Sequence, residues 1–247
     1  MKLALFADLH SNLEALSACL AHAQAQGAAQ WAFLGDLVGY GPDPAAVLDI
    51  VMAFCATGAA AVLGNHDQAA AGSGRFNLND NARLAIEWTR PRLAARHRAF
   101  LAGLPLSVRQ QDRLLVHASA ADPARWPYVT DARQAARSMA AAGVNYVFGG
   151  HVHEPVLYFR GADARPQAFK PTPGVPIPVP AHRRWLAVVG SCGQARDGEP
   201  RANYVVFDTA RAELTFHRLP YDHLKTARKI RAAGLPETLA RRIEQGN

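Results

Sequence analysis

Imidazole and carboxylate side chains recur along this 247-residue chain wherever a short apolar run gives way to a turn. Asp8 with His10, Asp36, Asn65 with His66 and Asp67, His117, and His151 with His153 all occupy such positions, several of them next to glycine. Five of the ten histidines fall in this set, too many for isolated structural histidines at strand ends. Mixed imidazole and oxygen donors suit zinc, manganese or iron, whereas calcium prefers an all-oxygen cage. Seven donors (Asp8, His10, Asp36, Asn65, His117, His151 and His153) exceed the needs of one tetrahedral or octahedral centre, so the set points to two ions. Two cations at about 3.5–4 Å need a shared carboxylate, and Asp36 is the natural bridge.

The elements that must position these residues follow from hydrophobic periodicity. Residues 3–7 predict a buried strand ending at Asp8, and 13–26 predict a helix capped near Asn12 and stopped by Gly27. A second unit pairs a strand over 31–34 with a helix opened by Pro44 and running through Ala56, and a third strand covers 59–63. Alternating strands and helices argue for parallel βαβ units, whose ligands gather beyond the C-terminal strand ends. Residues 72–103 read mainly helical and break the alternation as a cap-like insertion. Strands at 113–116 and 144–148, with a helix over 132–142, deliver His117 and the 150–153 turn. Period-two runs at 156–159, 185–189, 204–207 and 214–217 predict antiparallel strands of a second sheet, with 170–180 a Pro-rich exposed loop. A basic tail over 219–247 reads as a solvated helix broken near 234–236. The whole is expected as one domain over 1–247.

Composition narrows the class. The chain carries 27 Lys+Arg against 20 Asp+Glu, with 49% apolar residues, which excludes an intrinsically disordered chain. The formal charge of +7 favours anionic partners without choosing among them. Cys19, Cys55 and Cys192 are odd in number and widely spaced, so a reducing cytoplasm is expected. Asp8 and His10 come too early for a signal-peptide core, and no apolar run approaches a membrane span. No Walker or Rossmann glycine pattern is present.

The series Asp8-Leu9-His10, Gly35-Asp36, Gly64-Asn65-His66-Asp67, His117 and Gly150-His151-Val152-His153 resembles, in order, the calcineurin-like metallophosphoesterases. Asp8-Leu9-His10-Ser11-Asn12, the stretch Gly39-Tyr40-Gly41-Pro42-Asp43-Pro44, and the segment 190–198 make it similar to the small bacterial and archaeal branch of phosphodiesterases and protein phosphatases. The resemblance implies an α/β, four-layer α-β-β-α sandwich of two mixed β-sheets flanked by helices. It also implies that Asp8, His10 and His153 hold one ion, that Asn65, His117 and His151 hold the other, and that Asp36 bridges. The expected cofactors are two divalent metal ions, manganese first, with iron, zinc, cobalt or nickel as alternatives.

The expected function is a binuclear phosphoesterase acting on phosphomonoesters or phosphodiesters through in-line attack of a hydroxide shared by the cations. Nucleotides and dinucleoside polyphosphates are candidate substrates. His66 is expected to reach the phosphate or the leaving oxygen as a general acid or an electrostatic clamp, with Asp67 fixing its tautomer, and Asn65, His66 and Arg196 are expected to contact substrate phosphate. The resemblance singles out His66, because relatives that serve as binding scaffolds tend to lack it. Two alternatives stay open: a serine/threonine phosphoprotein phosphatase, and a metal-stabilised interaction module. The partner is a small phosphorylated molecule, with neither a membrane nor a stable nucleic-acid complex expected; oligomeric state is open. Weaker expectations place Tyr40 and Asn81 at the pocket, Asp197 and Arg201 near Arg196, and Arg75, Arg83, Arg90, Arg92, Arg96 and Arg98 on a basic rim. Cys192 lacks the Cys-x5-Arg cradle that a cysteine phosphatase needs.

Overall fold

The computed structural model describes residues 1–72, 78–161 and 165–247. Strands β1 (Lys2–Phe6), β2 (Gln30–Phe33) and β3 (Ala60–Ala61) alternate with helices α1 (Leu13–Ala25) and α2 (Pro44–Ala56). Asn12 caps α1 by accepting from the Ala15 N–H at 3.1 Å, and Pro44 opens α2 where a missing N–H costs nothing. Three helices follow: α3 (Asn65–Ala71), α4 (Asp80–Thr89) and α5 (Ala95–Ala102). The chain then builds β4 (Ser107–Gln110), β5 (Arg113–Val116), α6 (Ala132–Ala142) and β6 (Tyr146–Gly149). Strands β7 (Val156–Arg160), β8 (Gln167–Phe169), β9 (Pro176–Pro178), β10 (Arg184–Val188), β11 (Ala202–Asp208) and β12 (Glu213–Leu219) precede helices α7 (His223–Ala232) and α8 (Glu237–Gln245).

Two mixed six-stranded sheets result, ordered β3-β2-β1-β11-β12-β9 and β4-β5-β6-β10-β7-β8. In the first, β1, β2 and β3 run parallel, and β11 joins β1 antiparallel. In the second, β5, β6 and β10 run parallel. The layering follows from the period-two alternation of strand side chains. Leu3, Leu5 and Ala7 on β1 and its end enter the core between the sheets, where they meet Phe207, Phe148 and Trp185. Ala4 and Phe6 point the other way, into a core shared with Leu16, Val47 and Leu48 of α1 and α2. On the far side, Val147, Leu186 and Val188 pack against Ala135 and Met139 of α6. Two sheets flanked by helices are thus the architecture the family resemblance implies.

Three details depart from the sequence expectation. The Pro-rich segment 170–180 contains β9, an edge strand where Pro176 and Pro178 are tolerated because a ladder N–H is not required on the open side. The basic tail is not a solvated helix: Ala227 and Ile230 of α7 and Leu239, Ala240 and Ile243 of α8 form a buried cluster with Tyr40, Ala82 and Ala85. Its charge is paired in two ways: Arg231 with Glu237 and Glu244 within the tail, and Lys229 with Glu14 and Asp43 of the body of the fold. Within the insertion, Ile86, Leu93 and Leu101 join the core outside the first sheet, while Arg75 lies outside the described residues. The remaining rim arginines are occupied locally. Arg83 pairs with Glu87 at 3.0 Å and Arg96 with Asp49 at 3.0 Å. Arg90 donates to the Ala69 carbonyl and Arg98 to that of Leu93. Arg92 lies 3.8 Å over the Trp88 ring.

Candidate metal centre and active site

The loops beyond β1, β2, β5, β6 and β10 interlock. The loop after β1 lies along the loop after β2 through Asp8 N–H to Gly35 O (3.0 Å), His10 N–H to Asp36 O (2.9 Å) and Ser11 N–H to Leu37 O (3.0 Å). From the second sheet, Cys192 N–H donates to Ala7 O and Gly193 N–H to Asp8 O, both at 2.9 Å. To turn their side chains inward, Asp8 (φ 53°), His10 (46°), Asp36 (51°), His151 (69°) and His153 (70°) all adopt left-handed backbone. That region is unfavourable for residues with a Cβ and typically costs about 1–3 kcal/mol each, so the surrounding hydrogen bonds must hold it in place. Gly64 is required for a different reason: a Cβ there would lie 2.1 Å from Asp36 N.

Seven side chains, those of Asp8, His10, Asp36, Asn65, His117, His151 and His153, converge here. His10 and His153 bring their Nε2 atoms to 3.1 Å from each other. Each ring's Nδ1 faces a backbone carbonyl, Val38 O at 3.2 Å and Gln194 O at 2.6 Å, so Nδ1 carries the proton and Nε2 presents a lone pair. Two lone pairs at that distance repel unless an electrophile lies between them. The second group repeats the device: His117 Nδ1 donates to Leu34 O at 2.8 Å, and its Nε2 lies 3.2 Å from Asn65 Oδ1 and 3.1 Å from His151 Nδ1. Both carboxylates divide their oxygens. Asp8 Oδ2 accepts the His151 N–H at 2.9 Å, while Oδ1 is buried without a hydrogen-bond partner, 3.4 Å from His153 Nε2. Asp36 Oδ1 accepts the His66 N–H at 2.8 Å, while Oδ2 lies 3.4 Å from His117 Nε2 and 3.9 Å from His10 Nε2.

Donor atoms within 4.8 Å of one another define the groups Asp8–His10–His153 and Asp36–His117–His151, with Asp36 also grouped with His10 and His66. An orphaned buried carboxylate oxygen, facing imidazole lone pairs and a carboxylate common to two groups fit a pair of divalent cations. Burial dominates the titration of this site. It pushes His10 and His153 well below the ordinary imidazole range and His151 down to about 3, which keeps them neutral as ligands must be. Burial also lifts Asp8 to about 7. At Asp36 burial acts upward too, but His117 and His66 outweigh it and hold the carboxyl well below the usual range. His117 is the converse: burial opposes its charge, yet Asp36 raises it to about 9.

His66 Nε2 reaches 4.0 Å from Asp36 Oδ2, and the ring is packed by Tyr40 at 4.5 Å and His10 at 5.0 Å between centroids. The expectation that Asp67 fixes its tautomer is corrected by the geometry. His66 Nδ1 has no partner, because both Asp67 oxygens are taken by backbone donors: Leu37 and Val38 on Oδ1 at 2.8 and 3.1 Å, and Gly64 on Oδ2 at 3.1 Å. Asp67 staples the loop after β2 to the start of α3. Burial, aided by Asp36, raises its carboxyl to about 7. Arg196 is near the centre. Its Nη2 donates to Gln194 Oε1 at 3.1 Å, its guanidinium carbon lies 5.9 Å from the Tyr40 ring centroid, and its Nε is buried and unpaired. Asp197 instead pairs with Arg218 and Arg201 with Glu199. Asn81 accepts from Thr238 of α8, away from the pocket. Sequence reasoning missed Trp126 and Tyr128, which pack on His117 and His151; two aromatics within twelve residues of a metal-type histidine were the available signal.

A family model, the calcineurin-like phosphoesterase superfamily domain, matches residues 1–212, and the chain belongs to this superfamily. It is 35% identical to a metallophosphoesterase from Sphaerobacter thermophilus, whose crystal structure superposes with a TM-score of 0.88 over 100% of this chain and 99% of that one. The uncharacterized protein MJ0912 of Methanocaldococcus jannaschii is 29% identical over 252 residues, 99% of this chain and 98% of the relative. The hypothetical protein PH1004 of Pyrococcus horikoshii OT3, at 18% identity, shares the fold with a TM-score of 0.80, covering 100% and 98% of the two chains. The superfamily depends on divalent metals, and the His/Asp groups here are able to hold them.

Proposed function

We propose that this chain is a phosphoester hydrolase working with two divalent cations, manganese first among them, on a small phosphorylated substrate. The observation that carries this reading is the pair of inward-facing imidazole groups joined by Asp36. Cations bound there supply Lewis acidity, lowering the pKa of water and neutralising phosphoryl oxygens. The chain's own residues do the rest. Asp8, His10 and His153 would hold one cation, and Asn65, His117 and His151 the other, with Asp36 common to both. His66, held by burial below the ordinary imidazole range, directs a ring nitrogen at the space beside Asp36 and donates a hydrogen bond to the phosphate or the leaving oxygen as an electrostatic clamp. The Asn65 amide and the unpaired Arg196 Nε donate to phosphate oxygens, where charge-assisted bonds are strongest. Cys19, Cys55 and Cys192 are all free thiols, which supports a reducing cytoplasm. Among the described residues no helix is long and apolar enough to cross a membrane.

Purified protein supplied with manganese is expected to hydrolyse p-nitrophenyl phosphate or its bis ester. His66→Ala should lose about 10²–10⁴-fold in kcat while metal analysis still finds both cations. Wild-type metal binding with no turnover on any phosphoester would overturn the enzymatic reading in favour of an interaction module.

A further inference from the structure

Among the described residues nothing hydrogen-bonds His66 Nδ1. That nitrogen lies on the backbone of Gly39, where a Cβ would come within 2.4 Å of it. The rotamer of the ring therefore depends on packing, and Tyr40 is packed on it at 4.5 Å between centroids with the planes at 55°. The same Tyr40 ring meets His10 at 4.7 Å. It also stands 5.9 Å from the Arg196 guanidinium carbon, within the range over which a cation is drawn to an aromatic face. Tyr40 is thus a wedge among three groups of the site, and only 4% of it is exposed. Its backbone is left-handed at φ 59°, a conformation that is strained for a bulky side chain and persists only where the surroundings hold it.

The C-terminal helices supply that hold. Leu239, Ala240 and Ile243 of α8 share a buried cluster with Tyr40, together with Ala82 and Ala85 of α4. Lys229 of α7 pairs with Asp43, further along the loop that carries Tyr40. The end of the tail also grips the loop of Arg196. Gly198 N–H donates to Gly246 O at 2.9 Å, and a Cβ on Gly246 would lie 2.3 Å from the Glu199 carbonyl carbon. Both helices lie beyond residue 212, where the family match ends. We infer that Tyr40 is a positioning residue, backed by α7 and α8, that sets His66 and Arg196 toward one bound phosphoryl group. The part played through His66 rests on the phosphoesterase reading, whereas the part played through Arg196 needs only that a phosphate anion binds. A group misplaced by about 1 Å can cost roughly 10²-fold in rate, so a wedge that touches no substrate atom still governs the site.

The test follows p-nitrophenyl phosphate turnover, metal content and the calorimetric binding of inorganic phosphate in the manganese-loaded protein. Tyr40→Phe keeps the ring and should match wild type in every reading. Tyr40→Leu should lower kcat about tenfold or more and weaken phosphate about threefold or more, with both cations retained. Because Tyr40 acts through its neighbours, these losses should not add. Tyr40→Leu should change kcat little in the His66→Ala background, and phosphate affinity little in the Arg196→Gln background. A merely structural role would give independent losses that multiply, and would overturn the inference. Unchanged kcat and phosphate affinity in Tyr40→Leu, or loss of a cation, would do the same. Should Tyr40→Leu not fold, Ile243→Ala, which opens space behind the ring, carries the same expectations. Wild-type phosphate binding without turnover would sink the phosphoesterase reading alone, and the Arg196 comparison would still decide the role of Tyr40. A wild type that binds no phosphate would overturn both.

Discussion

At His10, His117 and His153 a backbone carbonyl beside Nδ1 decides the tautomer, because a neutral ring that donates from Nδ1 presents its lone pair from Nε2. The left-handed backbone of five donors is the conformational cost of that convergence, and Asp67 is the staple that helps to hold it. Replacing Asp67 with Ala would leave the Leu37, Val38 and Gly64 N–H groups buried and unpaired. An unmade buried hydrogen bond costs about 1–3 kcal/mol, so Asp67→Ala should lose about 3 kcal/mol or more in urea unfolding. Unchanged stability with a displaced pH–rate profile would instead restore the tautomer-fixing role. The donor types and spacings were legible in the sequence because chemistry restricts them to His, Asp and Asn. The strained φ values were not, since no glycine marks them, and neither was the partner of Asp67, whose contacts are with backbone from another loop.

Among the elements, the βα units of the first third were readable from clear signals: an apolar run, a capping Asn12, and Pro44 at a helix start. Strands β4, β8 and β9 were not, since each is a short sheet neighbour or edge whose side chains are mostly exposed and carry no strong alternation. The tail misled for a physical reason. Its Lys and Arg residues dominate the composition, while the buried stripe consists of only a few side chains spaced along one helix face. That stripe matters to the site, because Tyr40 belongs to the same cluster and packs against His10 and His66. Leu239 is fully buried there. Leu239→Ala should cost about 2–5 kcal/mol by denaturant titration, the usual range for a core Leu truncation. A loss below about 1 kcal/mol would show α8 to be loosely docked.

For the whole molecule, burying histidines makes stability depend on pH away from the site as well as in it. His217 sits against Tyr204 at 4.8 Å and His22 at 4.9 Å, and burial, with His22 adding, lowers it to about 4. The unfolded chain therefore binds a proton between about pH 6.5 and 4 that the folded chain refuses, so this contribution is complete above pH 6.5 and disappears as the pH falls toward 4. Thermal melts of metal-free protein across that window should fall with acidification, and His217→Gln should flatten part of the slope; identical slopes would remove His217 from the balance. The assembly of two sheets serves to bring loops from both into one pocket, and that convergence is most directly tested by anomalous diffraction from crystals grown with manganese. Two peaks are expected, one bounded by Asp8, His10 and His153 and the other by Asn65, His117 and His151, with Asp36 between them. A single peak, or none within reach of these side chains, would contradict the binuclear centre.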